Sequence, residues 1–187
     1  MPDETVPVVS DTAIQAVIDV LNSTATSNFT IAYEVVTKFG DLHTAATLAY
    51  DPSLGTSITI ADVRYNYSVN GTTLTCSTIT TDCTPGIDES RVSDRQLVST
   101  IFKKATIDRM EQDSRVAVGS AVASNEFIVD KSATCSAIPV VDSNGAAQSK
   151  TYCAFTDLGV LASLDTADLT ITALSFTATT TADQFSA

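Results

Sequence analysis

Between residues 10 and 22 the apolar residues Ile14, Val17, Ile18 and Leu21 fall at i, i+3, i+4 and i+7. That stripe predicts an amphipathic helix, with Ser10 or Asp11 in position to cap it. From Phe29 the period shortens to two. Phe29, Ile31, Tyr33 and Val35 alternate with Thr30, Ala32, Glu34 and Val36, which predicts a strand; Gly40-Asp41 turns the chain and residues 42–51 return. Asp51-Pro52 and Gly55 mark the next turn, and residues 57–77 hold up to three short strands. Asn70-Gly71 is a hairpin signal between residues 65–69 and 72–76. Thr84-Pro85-Gly86 reads as a break in the sheet. Ser93, with Gln96 three positions on, has the form of a capping box, and Asp94 suits a first helical turn. A helix is therefore expected over residues 93–112, its stripe of Leu97, Val98, Ile101, Phe102 and Ala105 covering a sheet face.

A strand pair is expected over residues 115–130, leading into residues 134–178, the part around which the rest is organised. Two runs there meet at Asp142-Ser143-Asn144-Gly145, with Cys135 before the turn and Cys153 after it. Runs at 159–164 and 169–176 follow, joined by Asp165-Thr166-Ala167-Asp168. Links this short join only antiparallel neighbours, so the segment reads as a meander. Residues 1–9, with Pro2, Pro7 and no periodicity, read as a flexible tether. Residues 10–187 then form a single α+β domain, a large antiparallel sheet carrying helices on one face.

Composition narrows the class. Only 17% of the 187 residues are charged and there is no Trp, which suits β-branched strands with hydroxyl-rich outer faces. The net charge of −12, without any Lys/Arg stripe, argues against nucleic acid as a partner. Four cysteines fall as Cys76/Cys83 and Cys135/Cys153. Four allow three pairings, and nearest-neighbour disulfides suit the local turns best. Structural zinc prefers tighter cysteine spacing, and the single His43 lies far upstream. Disulfides place the chain in an oxidising compartment, outside the cell or in a periplasm. No stretch reaches the roughly 18–20 apolar residues that span a bilayer. The N-terminus lacks the basic start and apolar run of a signal peptide, so a leader is expected to have preceded this chain, with Met1 added afterwards. Sequons at Asn22, Asn28, Asn66 and Asn70 matter only in a eukaryotic secretory route.

Candidate chemistry is sparse. No serine-hydrolase elbow, zinc-protease pair or phosphate loop occurs, so no catalytic residue, metal or cofactor is expected. His43 lies in an alternating strand without a partner of metal-binding type. Asp142 opens a turn that lacks the register of a calcium loop. Asp157, Asp165 and Asp168 flank strand ends. The inward positions Leu48, Tyr50, Ile58, Ile60, Tyr65, Tyr67, Leu161, Leu164, Ile171 and Phe176 either fill a closed core or line a groove, and periodicity does not separate the two.

Several stretches together carry a resemblance. Phe29 to Val35 reads F-T-x-x-Y-x-V, and Tyr67 through Cys83 contains Y-x-x-x-G-T-T-x-x-C followed by the second cysteine. Tyr152 to Leu161 reads Y-C-x-F-T-D-x-G-V-L, and Asp168 to Phe176 reads D-L-T-I-T-A-L-S-F, with a final Phe185 beyond. This resembles bacterial exported lipoproteins of the LolA/LppX-like superfamily, over most of residues 28–185 and most densely over 150–177. The resemblance implies a strongly curved antiparallel half-barrel with helices packed on its concave face. It also implies a non-catalytic envelope protein that binds or carries a lipid, an acyl chain or another hydrophobic ligand. Each methylene withdrawn from water is worth about 0.8 kcal/mol, so such a concavity needs no polar motif. This chain lacks the N-terminal lipobox cysteine, so membrane attachment would need an anchor absent from it; a monomer is expected. The expected cavity lining is Leu48, Tyr50, Ile58, Ile60, Tyr65, Tyr67, Leu97, Ile101, Phe102, Leu161 and Ile171. A structural or adhesive cell-surface domain is the alternative, with a solid core and a partner surface on loops such as 77–89. A hydrolase, the third reading, needs a cleft joining His43 to an acid and a Ser or Thr. The space between the sheet and residues 93–109 discriminates carrier from scaffold.

Overall fold

A computed structural model describes residues 11–186. The tether reading of residues 1–9 lies outside the described residues. In chain order the elements are α1 (Thr12–Asn22), β1 (Phe29–Thr37), β2 (Leu42–Asp51), β3 (Gly55–Ile60), β4 (Val63–Ser68), β5 (Thr73–Ser77) and β6 (Cys83–Pro85). Then come α2 (Lys104–Arg115), β7 (Val122–Ile128), β8 (Lys131–Val141), β9 (Ala147–Phe155), β10 (Leu161–Asp165) and β11 (Leu169–Thr177). Single 3-10 turns lie at Glu89–Arg91 and Ala182–Gln184.

All eleven strands form one antiparallel sheet in the order β6-β5-β4-β3-β2-β1-β11-β10-β9-β8-β7. Two meanders, β1 to β6 and β7 to β11, are joined where β1 pairs with β11, leaving β6 and β7 as the edges. Both helices pack on this sheet: α1 against β7, β8, β9 and α2, and α2 also against β8. Turn chemistry sets the register as the sequence suggests. The Asn70 side chain accepts from the Thr72 amide at 2.9 Å, with Gly71 at φ +86°. Asp142 Oδ1 accepts from the amides of Asn144 and Ala146 at 2.8 and 2.9 Å. Backbone caps hold that carboxylate in place.

The cysteines pair as Cys76–Cys83 and Cys135–Cys153, each bridging directly opposed residues of neighbouring strands, β5 to β6 and β8 to β9. In the chain-entropy treatment loops of these lengths contribute about 2.5 and about 3 kcal/mol. Asp11 caps α1, accepting from the Ala13 amide at 3.0 Å, while its other oxygen holds the Ala121 amide at 2.6 Å. One carboxylate thus starts the helix and ties it to the segment entering β7.

Three expectations are corrected. The long helix over 93–112 begins only at Lys104; residues 93–103 run as successive tight turns. At the start Asp94, not Ser93, caps a single turn: its side chain accepts from the Gln96 amide at 2.9 Å and from the Thr37 hydroxyl. Further along, the Glu89 carboxylate takes the Ser99 amide at 2.9 Å, removing it from any helical ladder. The run Val98-Ser99-Thr100-Ile101 is also poor in helix formers. Second, residues 115–130 hold one strand, β7, rather than a pair. Third, Thr84-Pro85-Gly86 does not simply end the sheet. Cys83–Pro85 adds an edge strand, where the missing Pro85 amide faces no neighbour, and Gly86 at φ +88° ends it.

Candidate functional site

Inward side chains of β1–β4 form cross-strand rows fixed by register. Phe29, Tyr50, Thr56 and Tyr67 make the first row; Ile31, Leu48, Ile58 and Tyr65 the second; Tyr33, Ala46, Ile60 and Val63 the third. The third row is packed solid. Tyr33 stacks obliquely on Phe102 with ring centroids 4.4 Å apart and donates its hydroxyl to the Leu161 carbonyl at 2.7 Å. The first row is not. Above it, and above Leu48 and Ile58 of the second, lies a cavity of about 690 Å³.

Its opposite wall is built from the 99–104 turns and the first two turns of α2: Ser99, Thr100, Phe102, Lys103, Lys104, Ile107, Asp108 and Glu111. Leu158 and Val160, from the β9–β10 turn, and Ala25, after α1, close one side. Phe29, Leu48, Ile58, Phe102, Leu158 and Val160 are buried, whereas Asn22, Thr24, Lys104, Asp108 and Glu111 are exposed and form the rim. The volume lies within the roughly 300–1,000 Å³ that small-molecule sites occupy.

Of the eleven residues expected at a cavity, Leu48, Tyr50, Ile58, Tyr67 and Phe102 border this one. Ile60, Tyr65, Leu97, Ile101, Leu161 and Ile171 sit in the packed core away from it. Leu164 is also core, and Phe176 is partly buried against it. Sequence reasoning placed the opposite wall on residues 93–109 and named Phe102, but missed the rest of that wall. Phe29 was legible as the alternation partner of Ile31, but nothing in a linear pattern brings Leu158, Val160 or Lys103 to a space bounded by β1–β4.

Two polar arrangements shape the walls. Behind Tyr67, its hydroxyl meets the Ser99 Oγ at 2.5 Å, and Ser99 donates its hydroxyl and amide to Glu89 at 2.5 and 2.9 Å. Ser99 is fully buried, so this relay satisfies it and pins the turn at residue 99 to β4. Burial, outweighing the Ser99 bond, keeps the Tyr67 hydroxyl above its ordinary pKa. On the sheet side of α2, Asp113 accepts from Tyr152 Oη and Lys150 Nζ, each at 2.5 Å. One helical turn away, Arg109 Nη2 reaches both oxygens of Asp168 at 2.6 Å, and Thr166 adds a bond at 2.8 Å. Burial, the largest single influence, pulls Asp168 upward, but the Arg109 and Thr166 hydrogen bonds and the Arg109 charge together hold its carboxyl below the usual range. These two clamps hold α2 over the sheet.

His43 stands apart, outside the cavity lining. It is exposed on β2, with Nδ1 3.1 Å from Glu34 and Nε2 3.4 Å from Asp41. The Glu34 hydrogen bond raises its pKa. Among the described residues, the one grouping of metal-ligand types is Glu126 with Cys135 and Cys153, whose sulfurs are already joined in a disulfide. No helix among the described residues is long and apolar enough to cross a membrane.

No protein-family model matches this chain, and no curated protein sequence does. Among solved structures, the fold is similar to that of a LolA superfamily protein. That protein, NE2245 from Nitrosomonas europaea, shares 8% identity over 93% of this chain and 97% of its own, with a TM-score of 0.44. At that identity no residue correspondence follows, and the site stands on its own geometry.

Proposed function

We propose that this chain is a non-catalytic, extracytoplasmic domain that binds or carries a lipid or another hydrophobic ligand. The observation that carries the reading is the largely apolar cavity of about 690 Å³ left between the first cross-strand row and α2. Its deep walls are Phe29, Leu48, Ile58, Phe102, Leu158 and Val160, apolar groups whose burial by a guest would be favourable at about 25 cal/mol per Å². The sheet is not strongly curled as a whole, short of the half-barrel expected, and we take it to bend only locally around this space. The register shifts between Ala32 and Tyr33 and between Leu161 and Ser163 support that, since bulges bend the strands that carry them. The two disulfides support a place outside the reducing cytosol.

Native mass spectrometry of the purified protein, before and after organic extraction, tests the reading. A co-purifying apolar adduct of one equivalent, or uptake of one equivalent of added fatty acid after extraction, is expected. A protein that takes up neither contradicts it.

The scaffold reading draws on a different feature. Strand β7 is a sheet edge with six of its seven residues exposed, Phe127 by 83% and Val122 by 65%. Such an edge offers unpaired backbone groups to another chain.

A further inference from the structure

The five lysines of this acidic chain are not equivalent. Lys38, Lys104, Lys131 and Lys150 each have a carboxylate oxygen within 3.6 Å. Lys103 has none: among the described residues it makes no ion pair, and its ammonium donates to one backbone carbonyl, Ser23 O, at 2.7 Å. Yet Lys103 is half-buried and borders the cavity, where burial lowers its pKa. An ammonium carries three donors and keeps its charge most favourably beside an anion. In a chain of net charge −12, leaving this lysine without a carboxylate at the edge of an apolar space is a specific arrangement.

Its neighbours sharpen the point. Lys104, on the same rim, is neutralised by Asp108 at 2.8 Å. Glu111 is exposed a turn further along α2, so a bound anion next to Lys103 would avoid it only at the 103 end of the cavity. The Ser23 carbonyl fixes the ammonium where α1 ends, beside the rim residues Asn22 and Thr24.

We infer that the ligand is a single-chain amphiphile with an anionic head, a carboxylate or a phosphate, whose tail fills the cavity and whose head pairs with Lys103. This rests on the carrier reading above and adds the chemistry of the head. A charge-assisted hydrogen bond in a partly dry site is worth roughly a tenfold or greater change in affinity.

Calorimetric titration at pH 8 with dodecanoate, dodecyl phosphate and dodecanol tests it on the extracted protein. The wild type is expected to bind at least one of the two anions about tenfold or more tightly than the alcohol, and the tighter anion identifies the head. Lys103→Gln should abolish that preference while retaining dodecanol binding, and Lys103→Arg should restore it. Lys104→Gln combined with Asp108→Asn, which removes a mutually neutralised pair and leaves the rim's net charge unchanged, should keep it. This last variant, with the wild type, decides the matter even if Lys103→Gln fails to fold. Equal binding of alcohol and anions, or a preference lost with the Lys104–Asp108 pair rather than with Lys103, overturns the inference and leaves the carrier reading intact. Binding of none of the three overturns both.

Discussion

Removing the Asp113 carboxylate should unlatch α2. Asp113 is 7% exposed and accepts from the Tyr152 hydroxyl, which is fully buried, and from the Lys150 ammonium. Asp113→Ala leaves a buried hydroxyl without an acceptor and a cation without its partner. Breaking a buried pair from one side costs about 3–5 kcal/mol. The Lys150 side chain keeps 25% of its surface in water, so its charge can relax outward and the lower end applies, about 3 kcal/mol. For a domain of this size that is a fall in Tm of roughly 6–12 °C. Tyr152→Phe is the control. It removes one hydrogen bond and leaves Asp113 paired with Lys150, for a loss of about 1 kcal/mol. The double variant should lose less than the sum, because the two share a bond. Urea unfolding of the four proteins at pH 7 measures all terms. An Asp113→Ala loss below 1 kcal/mol, or equal losses for the two single variants, would refute the clamp.

Three further outcomes follow from particular contacts. Asp168 is held below its ordinary pKa by Arg109 despite partial burial, so its contribution is present above the usual carboxylate range and is lost as pH falls through the depressed value; urea midpoints from pH 7 to 3 should fall less steeply in Asp168→Asn. Gly159 sits at φ +64°, and a Cβ there would lie 2.3 Å from the Ser23 carbonyl, so Gly159→Ala should lose the roughly 1–2 kcal/mol of a left-handed backbone plus the cost of that clash, read by thermal unfolding. Replacing Cys135 and Cys153 together by Ala should cost about 3 kcal/mol and replacing Cys76 and Cys83 about 2.5, both read by urea unfolding under non-reducing conditions.

Much of this fold is legible along the chain because its signals are local. Alternation from Phe29 to Val35, Asn-Gly at 70–71 and the Asx turn at Asp142 each fix a strand or a hairpin within a few residues. Cysteines opposed across one turn pair across it. The 93–103 segment was misread because its apolar spacing is helical, while its backbone is claimed by distant groups. Glu89 takes the Ser99 amide, and Phe102 gives its carbonyl to the Leu161 amide at 2.8 Å. β7 has little inward patterning to advertise it: only Ile128, at its end, packs against the core. The cavity was half legible. Its sheet wall follows from period two, whereas its other wall depends on where non-helical turns come to rest.

The most direct test of the carrier account is to fill the space. Ile107 is half-buried on the α2 wall, so Ile107→Trp puts an indole into the cavity without touching either clamp. Titration of extracted wild type and Ile107→Trp with a fluorescent fatty acid should show one saturable equivalent on the wild type. On the variant affinity should fall at least tenfold while Tm is kept. Equal binding by the two proteins, or none by either, would contradict the account.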